Sequence, residues 1–235
     1  MEIRLGSLVR DAREAAGTVI VIDVFRAFTT AAIAFDNGAT DITLVAEAAD
    51  ALALHRSGVG DVLMGEMDGK RPEGFDYGNS PFEISGVDLT GKSLVQSTRA
   101  GTVGVATAFD APGTESIYLG SFAVADATVR AVLRDAPELV TILAMGDQGA
   151  VRADEDEQCG IYLRNLLEGR RPDPEAVRSL IMTGGATQKF FDVSQPQYHP
   201  GDVELALQFS KYDFAMKVSR EDGRPVARVH RPWLS

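Results

Sequence analysis

A run of four apolar, β-branched residues at positions 19–22 ends at Asp23, and similar short apolar runs recur along the chain. Such continuous runs are typical of strands that are buried on both faces of a sheet. The predicted strands span residues 19–24, 41–45, 62–65, 93–96, 116–119 and 140–144. The predicted helices among them span residues 29–36, 50–57, 102–109 and 123–134. This alternation predicts an α/β fold whose sheet is largely parallel and covered by helices on both faces.

The pattern changes after Asp147, where helices become the main prediction. Three helices are predicted at residues 155–167, 174–183 and 203–210, followed by a hairpin of residues 213–218 and 226–230. The Asp222-Gly223 pair between the two strands is a strong turn signal. The sequence contains no linker rich in Pro, Gly or Ser and no repeat. We therefore predict one domain over residues 1–235, with a helical C-terminal third packed on the sheet.

Composition narrows the class of protein. The chain has 235 residues, a formal net charge of −11 and a single cysteine, Cys159. The negative charge argues against nucleic acid and anionic membranes as partners. One cysteine excludes an internal disulfide, and no apolar run reaches the roughly 18 residues of a membrane span, so we expect a cytoplasmic protein. The three histidines are scattered without a zinc-binding spacing.

Polar side chains follow most of the predicted strands, at the edge where open parallel sheets bind ligands. Five strand ends carry an acidic or hydroxyl side chain, namely residues 23–26, 65–69, 97–102, 120–121 and 146–149. At any one end the usual explanation is a helix cap. Five coincident ends favour a binding site over five independent caps.

The side chains at these ends suit metal-assisted phosphoryl transfer. Carboxylates from several strand ends can hold Mg²⁺, which prefers oxygen ligands and usually retains water. A Ser/Thr/Gly turn that opens a helix presents backbone N–H groups to phosphate, and arginine adds a bidentate partner for anions. A phosphatase is the preferred interpretation. A non-catalytic binding protein for a small phosphorylated acid is the alternative.

Three further segments carry less specific signals. The loop at residues 65–81 is long and acidic and contains aromatic residues, which favours an ordered lid or metal-binding loop. The acidic run at residues 154–157 is interpreted as the solvated N-terminus of a helix, and Cys159 as a small core residue. The segment TGGATQKF, residues 183–190, offers an anion-binding turn but is better explained as a helix end followed by a loop.

Several motifs, taken in order, give the chain a family resemblance. VIDVFRAFTTA at residues 21–31 matches the pattern I-D-V-x-R-A-x-T-T, and GFDYGNSPFE at residues 74–83 matches G-F-D-x-G-N-S-P. Gly65-Glu66 and EDEQCG at residues 155–160 also have counterparts. The chain thus resembles the 2-phosphosulfolactate phosphatase (ComB-like) family of coenzyme M biosynthesis over nearly its whole length. Where that family usually reads S-T-T-N-G-T-R-A, residues 97–104 read STRAGTVG, so the arginine is displaced to Arg99.

The resemblance implies a three-layer α/β/α sandwich and a Mg²⁺-dependent phosphatase acting on 2-phosphosulfolactate or a similar phosphorylated hydroxy acid. The expected catalytic residues are Asp23, as metal ligand or nucleophile, with Arg26, Glu66 and Asp147. The expected metal ligands are Asp23, Glu66 and Asp76. The expected substrate and phosphate contacts are Asn79, Ser80, Ser97, Thr98, Arg99, Gly101 and Thr102. The expected partner is a small anionic phosphorylated substrate, and a homodimer is left open.

Overall fold

A nine-stranded sheet forms the centre of the computed structural model, which describes residues 1–234. The strands are β1 (Glu2–Ser7), β2 (Ala16–Ile22), β3 (Asp41–Val45), β4 (Val62–Gly65), β5 (Ser93–Ser97), β6 (Gly113–Gly120), β7 (Leu139–Ala144), β8 (Ala215–Glu221) and β9 (Arg224–His230). The α-helices are α1 (Leu8–Ala12), α2 (Ala27–Asp36), α3 (Ala48–Arg56), α4 (Pro81–Ile84), α5 (Gly101–Asp110), α6 (Ala125–Asp135), α7 (Asp154–Leu167), α8 (Pro174–Met182), α9 (Gly185–Gln188) and α10 (Pro200–Ala206). No helix in this described part has the length and apolar character needed to cross a membrane.

The sheet consists of two parallel blocks joined by an antiparallel hairpin. Its order is β1-β7-β2-β6-β8-β9-β3-β5-β4. The strands β1, β7, β2 and β6 run parallel to one another, and so do β3, β5 and β4. β8 is antiparallel to both β6 and β9, and β9 is antiparallel to β3. This arrangement confirms the predicted α/β class with a largely parallel, mixed sheet.

The C-terminal hairpin of β8 and β9 is present as predicted, with its turn at Asp222 and Gly223. The hairpin lies inside the sheet, between β6 and β3. Ala215, Met216 and Ala227 are fully buried there. Without the hairpin, β6 and β3 would each expose a row of unpaired backbone groups. The last strands therefore complete the sheet rather than cover it.

β1 is the strand that the sequence pattern does not predict. It forms one edge of the sheet and pairs only with β7 in the described structure. Glu2, Arg4 and Leu5 are exposed on it. An edge strand faces solvent along much of its length, so it lacks the continuous apolar run that identifies the buried strands.

Alternating residues of β2 face two separate hydrophobic cores. Val19 and Val21 pack in the first core, with apolar residues of α2 and α5. Ile20 and Ile22 pack in the second, with residues of α6 and α7. This alternation is the two-residue period of a strand with helices on both faces, and it confirms the predicted three layers. Each helix that follows a parallel strand begins at the carboxyl edge of the sheet, which brings several helix N-termini together there.

Candidate active site

Asp23 lies directly after β2, where two helices begin. Its Oδ1 accepts a hydrogen bond from the backbone N–H of Ala27 at 2.9 Å, and its Oδ2 accepts one from the N–H of Gly101 at 2.8 Å. Ala27 and Gly101 are the first residues of α2 and α5, so both helix dipoles favour a negative charge here. Burial nevertheless raises the pKa of Asp23 to about 6, and the charge of Glu66 also acts to raise it. Asp23 is therefore a desolvated carboxylate without a cationic hydrogen-bond partner among residues 1–234.

The first turn of α7 brings two more buried carboxylates to this edge. Asp156 accepts hydrogen bonds from the N–H groups of Val24 at 2.7 Å and Gly146 at 2.8 Å, which ties the loops after β2 and β7 together. Glu155 has a buried Oε2 atom without a hydrogen-bond partner among the described residues. Burial raises the pKa of Glu155 to about 7 and the pKa of Asp156 well above its usual range. The expectation that this acidic run is a solvated helix N-terminus is wrong for these two residues.

A cavity of about 390 Å³ opens at this edge of the sheet. The sequence-predicted residues that line it are Asp23, Arg26, Glu66, Asn79, Arg99 and Asp147. The structure therefore brings these six residues together, while the roles assigned to them stay predictions. A small volume bounded by several charged side chains suits a small polar ligand.

Glu66 joins the loops that follow β4 and β5. Its Oε1 accepts a hydrogen bond from the N–H of Arg99 at 2.7 Å, and its Oε2 accepts one from the N–H of Gly69 at 2.7 Å. Gly69 adopts a φ of 77° in a tight turn, and a Cβ atom there would lie 2.4 Å from the hydroxyl of Tyr198. Only glycine fits at this point, because the backbone conformation and the close approach both exclude a side chain.

Four cationic side chains line the cavity: Arg26, Arg99, Arg152 and Lys189. Arg26 donates hydrogen bonds to Asp202 at 3.0 Å and to the carbonyl oxygen of Gly69 at 3.1 Å. Its guanidinium group lies 5.0 Å from the ring centroid of Tyr198. Both members of the Arg26–Asp202 pair are buried, with relative exposures of 3% and 0%. Much of the hydrogen-bonding capacity of Arg26 is thus used within the protein, which makes Arg26 part of the cavity wall.

Asp76 and Ser80, both predicted as site residues, do not line the cavity. The Asp76 side chain is exposed on its loop, and its Oδ2 accepts a hydrogen bond from the N–H of Leu63 at 2.8 Å. Ser80 donates a hydrogen bond to Asp202 at 2.6 Å and caps α4 through the N–H of Glu83. Each of them stabilises the local backbone, and the site roles assigned to them stay predictions.

Residues 97–102 are the predicted phosphate-binding turn. Several of their polar groups form hydrogen bonds within the protein. The N–H of Thr98 donates to the hydroxyl of Thr102 at 2.8 Å, and the N–H of Thr102 donates to the hydroxyl of Thr98 at 3.1 Å. Ser97 is buried with its hydroxyl directed to the carbonyl of Ala46, and the N–H of Gly101 donates to Asp23. None of these four residues lines the cavity. These hydrogen bonds are those of a helix cap, and phosphate binding by these residues stays a prediction.

Glu155, Lys189 and Tyr198 are among the cavity residues that have no role in the sequence prediction. Glu155 begins the segment EDEQCG, and that match was the one signal that pointed to it. Lys189 lies in the TGGATQKF segment, for which the sequence favours a helix end over an anion-binding turn. Tyr198 carries no local signal, because only tertiary packing brings it to the cavity.

Known proteins are similar to this chain over the segments that form the cavity. A sequence profile described as 2-phosphosulpholactate phosphatase matches residues 6–189. A Bacillus subtilis (strain 168) protein named probable 2-phosphosulfolactate phosphatase is 36% identical over 211 residues, covering 88% of this chain and 89% of its own length. A Deinococcus radiodurans protein of the same name is 37% identical over 149 residues, covering 63% of this chain and 61% of its own. The profile match includes Asp23, Glu66, Glu155 and Lys189.

Proposed function

The chain belongs to the 2-phosphosulfolactate phosphatase family, and from this premise we propose that it is a Mg²⁺-dependent phosphoric monoester hydrolase. The proposed substrate is 2-phosphosulfolactate or a similar phosphate ester of a small anionic hydroxy acid. Hydrolysis of 2-phosphosulfolactate by water gives 3-sulfolactate and inorganic phosphate. The names of the relatives support the phosphatase activity, and the residues of the cavity support the metal and the substrate class.

The observation that carries this proposal is the pair of buried carboxylates, Asp23 and Glu155, at one cavity. Their relative exposures are 5% and 4%, and both residues line the cavity. Burial is the main cause of the raised pKa of Glu155, and the charge of Asp23 raises it further. Two desolvated carboxylates, one with an unpartnered oxygen, are unfavourable unless a cation or a proton joins them. A protein with a purely structural role has no need of this arrangement.

Mg²⁺ fits this pair by its ligand chemistry. Among residues 1–234, no three Asp, Glu, His or Cys side chains are grouped closely enough to hold a metal by themselves. Mg²⁺ is often held by only one or two carboxylates together with substrate phosphate and retained water. We propose Asp23 and Glu155 as its ligands, with Glu66 as a neighbouring negative charge. When bound, the ion would neutralise charge on the phosphoryl group and polarise the scissile bond.

The remaining cavity residues would position the substrate. The Arg99 side chain is exposed and makes no hydrogen bond or ion pair in the described part of the chain, so it is free to bind a second anionic group. Asp147 is exposed on a tight turn at the cavity, where its carboxylate can orient a water molecule. Asn79 is buried, and its Oδ1 has no partner among the described residues, so its amide is available to a ligand.

We also propose a cellular compartment and a metabolic use for the reaction. We place the reaction in the cytoplasm, because the single cysteine is free and buried, as is usual where thiols stay reduced. Coenzyme M biosynthesis is the use that the family's substrate suggests. The displaced Arg99 favours a test of other phosphorylated carboxylic and sulfonic acids beside 2-phosphosulfolactate.

Turnover of p-nitrophenyl phosphate with and without metal tests the proposal. We expect activity with Mg²⁺, loss of activity in EDTA, and restoration by Mg²⁺ better than by Zn²⁺, because the expected ligands are all oxygen atoms. Turnover at the same rate in EDTA would overturn the metal assignment. Absence of turnover together with tight binding of inorganic phosphate would instead identify a binding protein.

A further inference from the structure

The cationic side chains that line the cavity differ in whether they already form hydrogen bonds or ion pairs within the protein. Arg26 donates hydrogen bonds to Asp202 and to two backbone carbonyl groups, and Arg152 pairs with Glu157 at 3.5 Å. The ammonium group of Lys189 forms no hydrogen bond and no ion pair within 4.0 Å in the part of the chain that the structure describes. The ammonium group of Lys189 is therefore available to bind an anion in the cavity.

The aromatic rings of Phe190 and Tyr198 hold Lys189 in place. Its Nζ lies 4.9 Å from the ring centroid of Tyr198 and 5.8 Å from that of Phe190. The two rings also contact each other, with centroids 5.2 Å apart. An ammonium group over aromatic faces is positioned by them and keeps its hydrogen-bond donors free, because the ring faces offer no conventional acceptor.

Lys189 also lies on the carboxylate side of the cavity. Its positive charge acts to lower the pKa of Asp23 and the pKa of Glu155. Its relative exposure is intermediate, so the ammonium group can still be reached from the cavity. A ligand that approaches Asp23 therefore comes within the field of this ammonium group.

The backbone groups that often hold phosphate are occupied at this site. The N–H groups of Ala27 and Gly101, which open α2 and α5, both donate to Asp23. Phosphate therefore cannot use these N–H groups, and it also meets the negative charges of Asp23, Glu66 and Glu155. A side-chain cation close to those carboxylates is the protein group that can offset this repulsion.

From these observations we propose that Lys189 contacts the phosphoryl group of the substrate. Its ammonium group stabilises the negative charge of the phosphoryl oxygens during hydrolysis. This inference rests on the proposed function and adds a substrate-contacting residue to it. The rival explanation is structural: Lys189 covers Phe190 and Tyr198 and has no contact with substrate. The two explanations differ in what happens to phosphate binding when the charge is removed.

The experiment compares Lys189→Gln with Lys189→Arg and with the matched control Lys211→Gln. Lys211 is exposed, lies 5.2 Å from the ring centroid of Tyr212 and does not line the cavity, so its loss removes the same charge and a similar ring contact. Inhibition by inorganic phosphate and kcat/KM for p-nitrophenyl phosphate are measured with Mg²⁺. Thermal unfolding of each variant reports the folded fraction.

We expect Lys189→Gln to weaken inhibition by phosphate about 10-fold or more and to lower kcat/KM about 100-fold. Lys189→Arg keeps the charge and should retain more of both, and Lys211→Gln should match the wild type within about 2-fold. If Lys189→Gln fails to fold, Lys189→Met takes its place, because it removes the charge and keeps an unbranched side chain beside the two rings. Weaker phosphate inhibition in folded Lys189→Met supports the contact, and unchanged inhibition overturns it. A folded Lys189→Gln protein with unchanged phosphate inhibition overturns this inference alone. A wild-type protein that neither turns over substrate nor binds phosphate overturns the proposed function as well.

Discussion

The backbone N–H of Gly101 donates a 2.8 Å hydrogen bond to Oδ2 of Asp23, across 78 residues of sequence. The bond places the Asp23 carboxylate at the N-terminus of α5, and the bond from Ala27 places it at the N-terminus of α2 as well. Both helix dipoles therefore act on a protein carboxylate instead of a bound phosphate. Asp23 is thus held by two hydrogen bonds, and in the proposed function the phosphoryl group would depend on side-chain cations and metal.

Gly101→Ala should displace Asp23 and reduce activity. A Cβ atom at position 101 would lie 2.8 Å from Oδ2 and 3.1 Å from Cβ of Asp23. We expect kcat to fall about 10- to 100-fold, because small displacements of a catalytic group have effects of this size. Gly104→Ala on the same helix is the control, since its Cβ would meet only the flexible side chain of Met145. Equal activity of the two variants would contradict the proposed role of the Asp23–Gly101 contact.

Asp156→Ala should destabilise the protein through the loops that Asp156 joins. The substitution leaves the N–H groups of Val24 and Gly146 without their acceptor. Each such loss costs about 1–3 kcal/mol, and removal of a desolvated charge offsets part of it, so we expect a net loss of about 2–4 kcal/mol. Urea denaturation measures this loss. The control is Gln158→Ala in the same helix. A loss of unfolding free energy no larger than that of the control would show that the two hydrogen bonds of Asp156 do not stabilise the protein.

The metal-free protein should lose stability as the pH rises from about 4 to about 7. The pKa values of Asp23 and Glu155, about 6 and about 7, both lie above their unfolded values. The folded chain therefore holds more protons in this range, and the free energy of unfolding falls as these carboxylates ionise. The contribution of Asp23 is on the order of 3 kcal/mol for a rise of about two pKa units.

Denaturation in EDTA at several pH values tests this dependence. Asp23→Asn should show a smaller fall with pH than the wild type, because the titrating group is gone. Asp88→Asn, at an exposed carboxylate outside the cavity, should keep the wild-type fall. A free energy of unfolding that rises steadily between pH 4 and pH 7 in the wild type would contradict the buried, unpaired state of these carboxylates.

The architecture was largely predictable because its strands are apolar on both faces. Runs such as residues 19–22 and 140–144 carry enough β-branched and apolar residues to identify buried parallel strands. The edge strand β1 was missed, because it is half exposed and has no such run. The position of the β8–β9 hairpin was missed for another reason. A local pattern identifies a hairpin but does not say between which distant strands it pairs.

The candidate site was predictable mainly where residues follow strands directly, and Asn79 was predicted from the GFDYGNSPFE motif. Asp23, Glu66 and Asp147 come just after β2, β4 and β7, so the topology alone brings them to one edge. Glu155 was missed because an acidic helix start is usually solvated, and burial depends on packing that no local pattern shows. Thr98 and Thr102 do not line the cavity, and the sequence does not separate their two uses, because capping and phosphate binding use the same residue types.

Arg99→Ala should distinguish substrates with one anionic group from substrates with two. The Arg99 side chain lines the cavity and has no hydrogen-bond or ion-pair partner among the described residues, and we propose that it binds the second anion of the substrate. We expect kcat/KM for a phosphorylated carboxylic or sulfonic acid to fall roughly 10- to 150-fold, the loss of one charge-assisted contact of about 1.5–3 kcal/mol. Turnover of p-nitrophenyl phosphate, which has no second anion, should change little. Equal losses on both substrates would place Arg99 at the phosphoryl group instead.

We propose that Asp23 and Glu155 form the metal-dependent centre of a phosphatase. The most direct measurement is kcat for 2-phosphosulfolactate with saturating Mg²⁺ in the wild type, Asp23→Asn and Glu155→Gln, expressed per folded molecule. We predict turnover by the wild type, abolished in EDTA, and a loss of about 100-fold or more in each variant. Wild-type rates in both folded variants would contradict the claim.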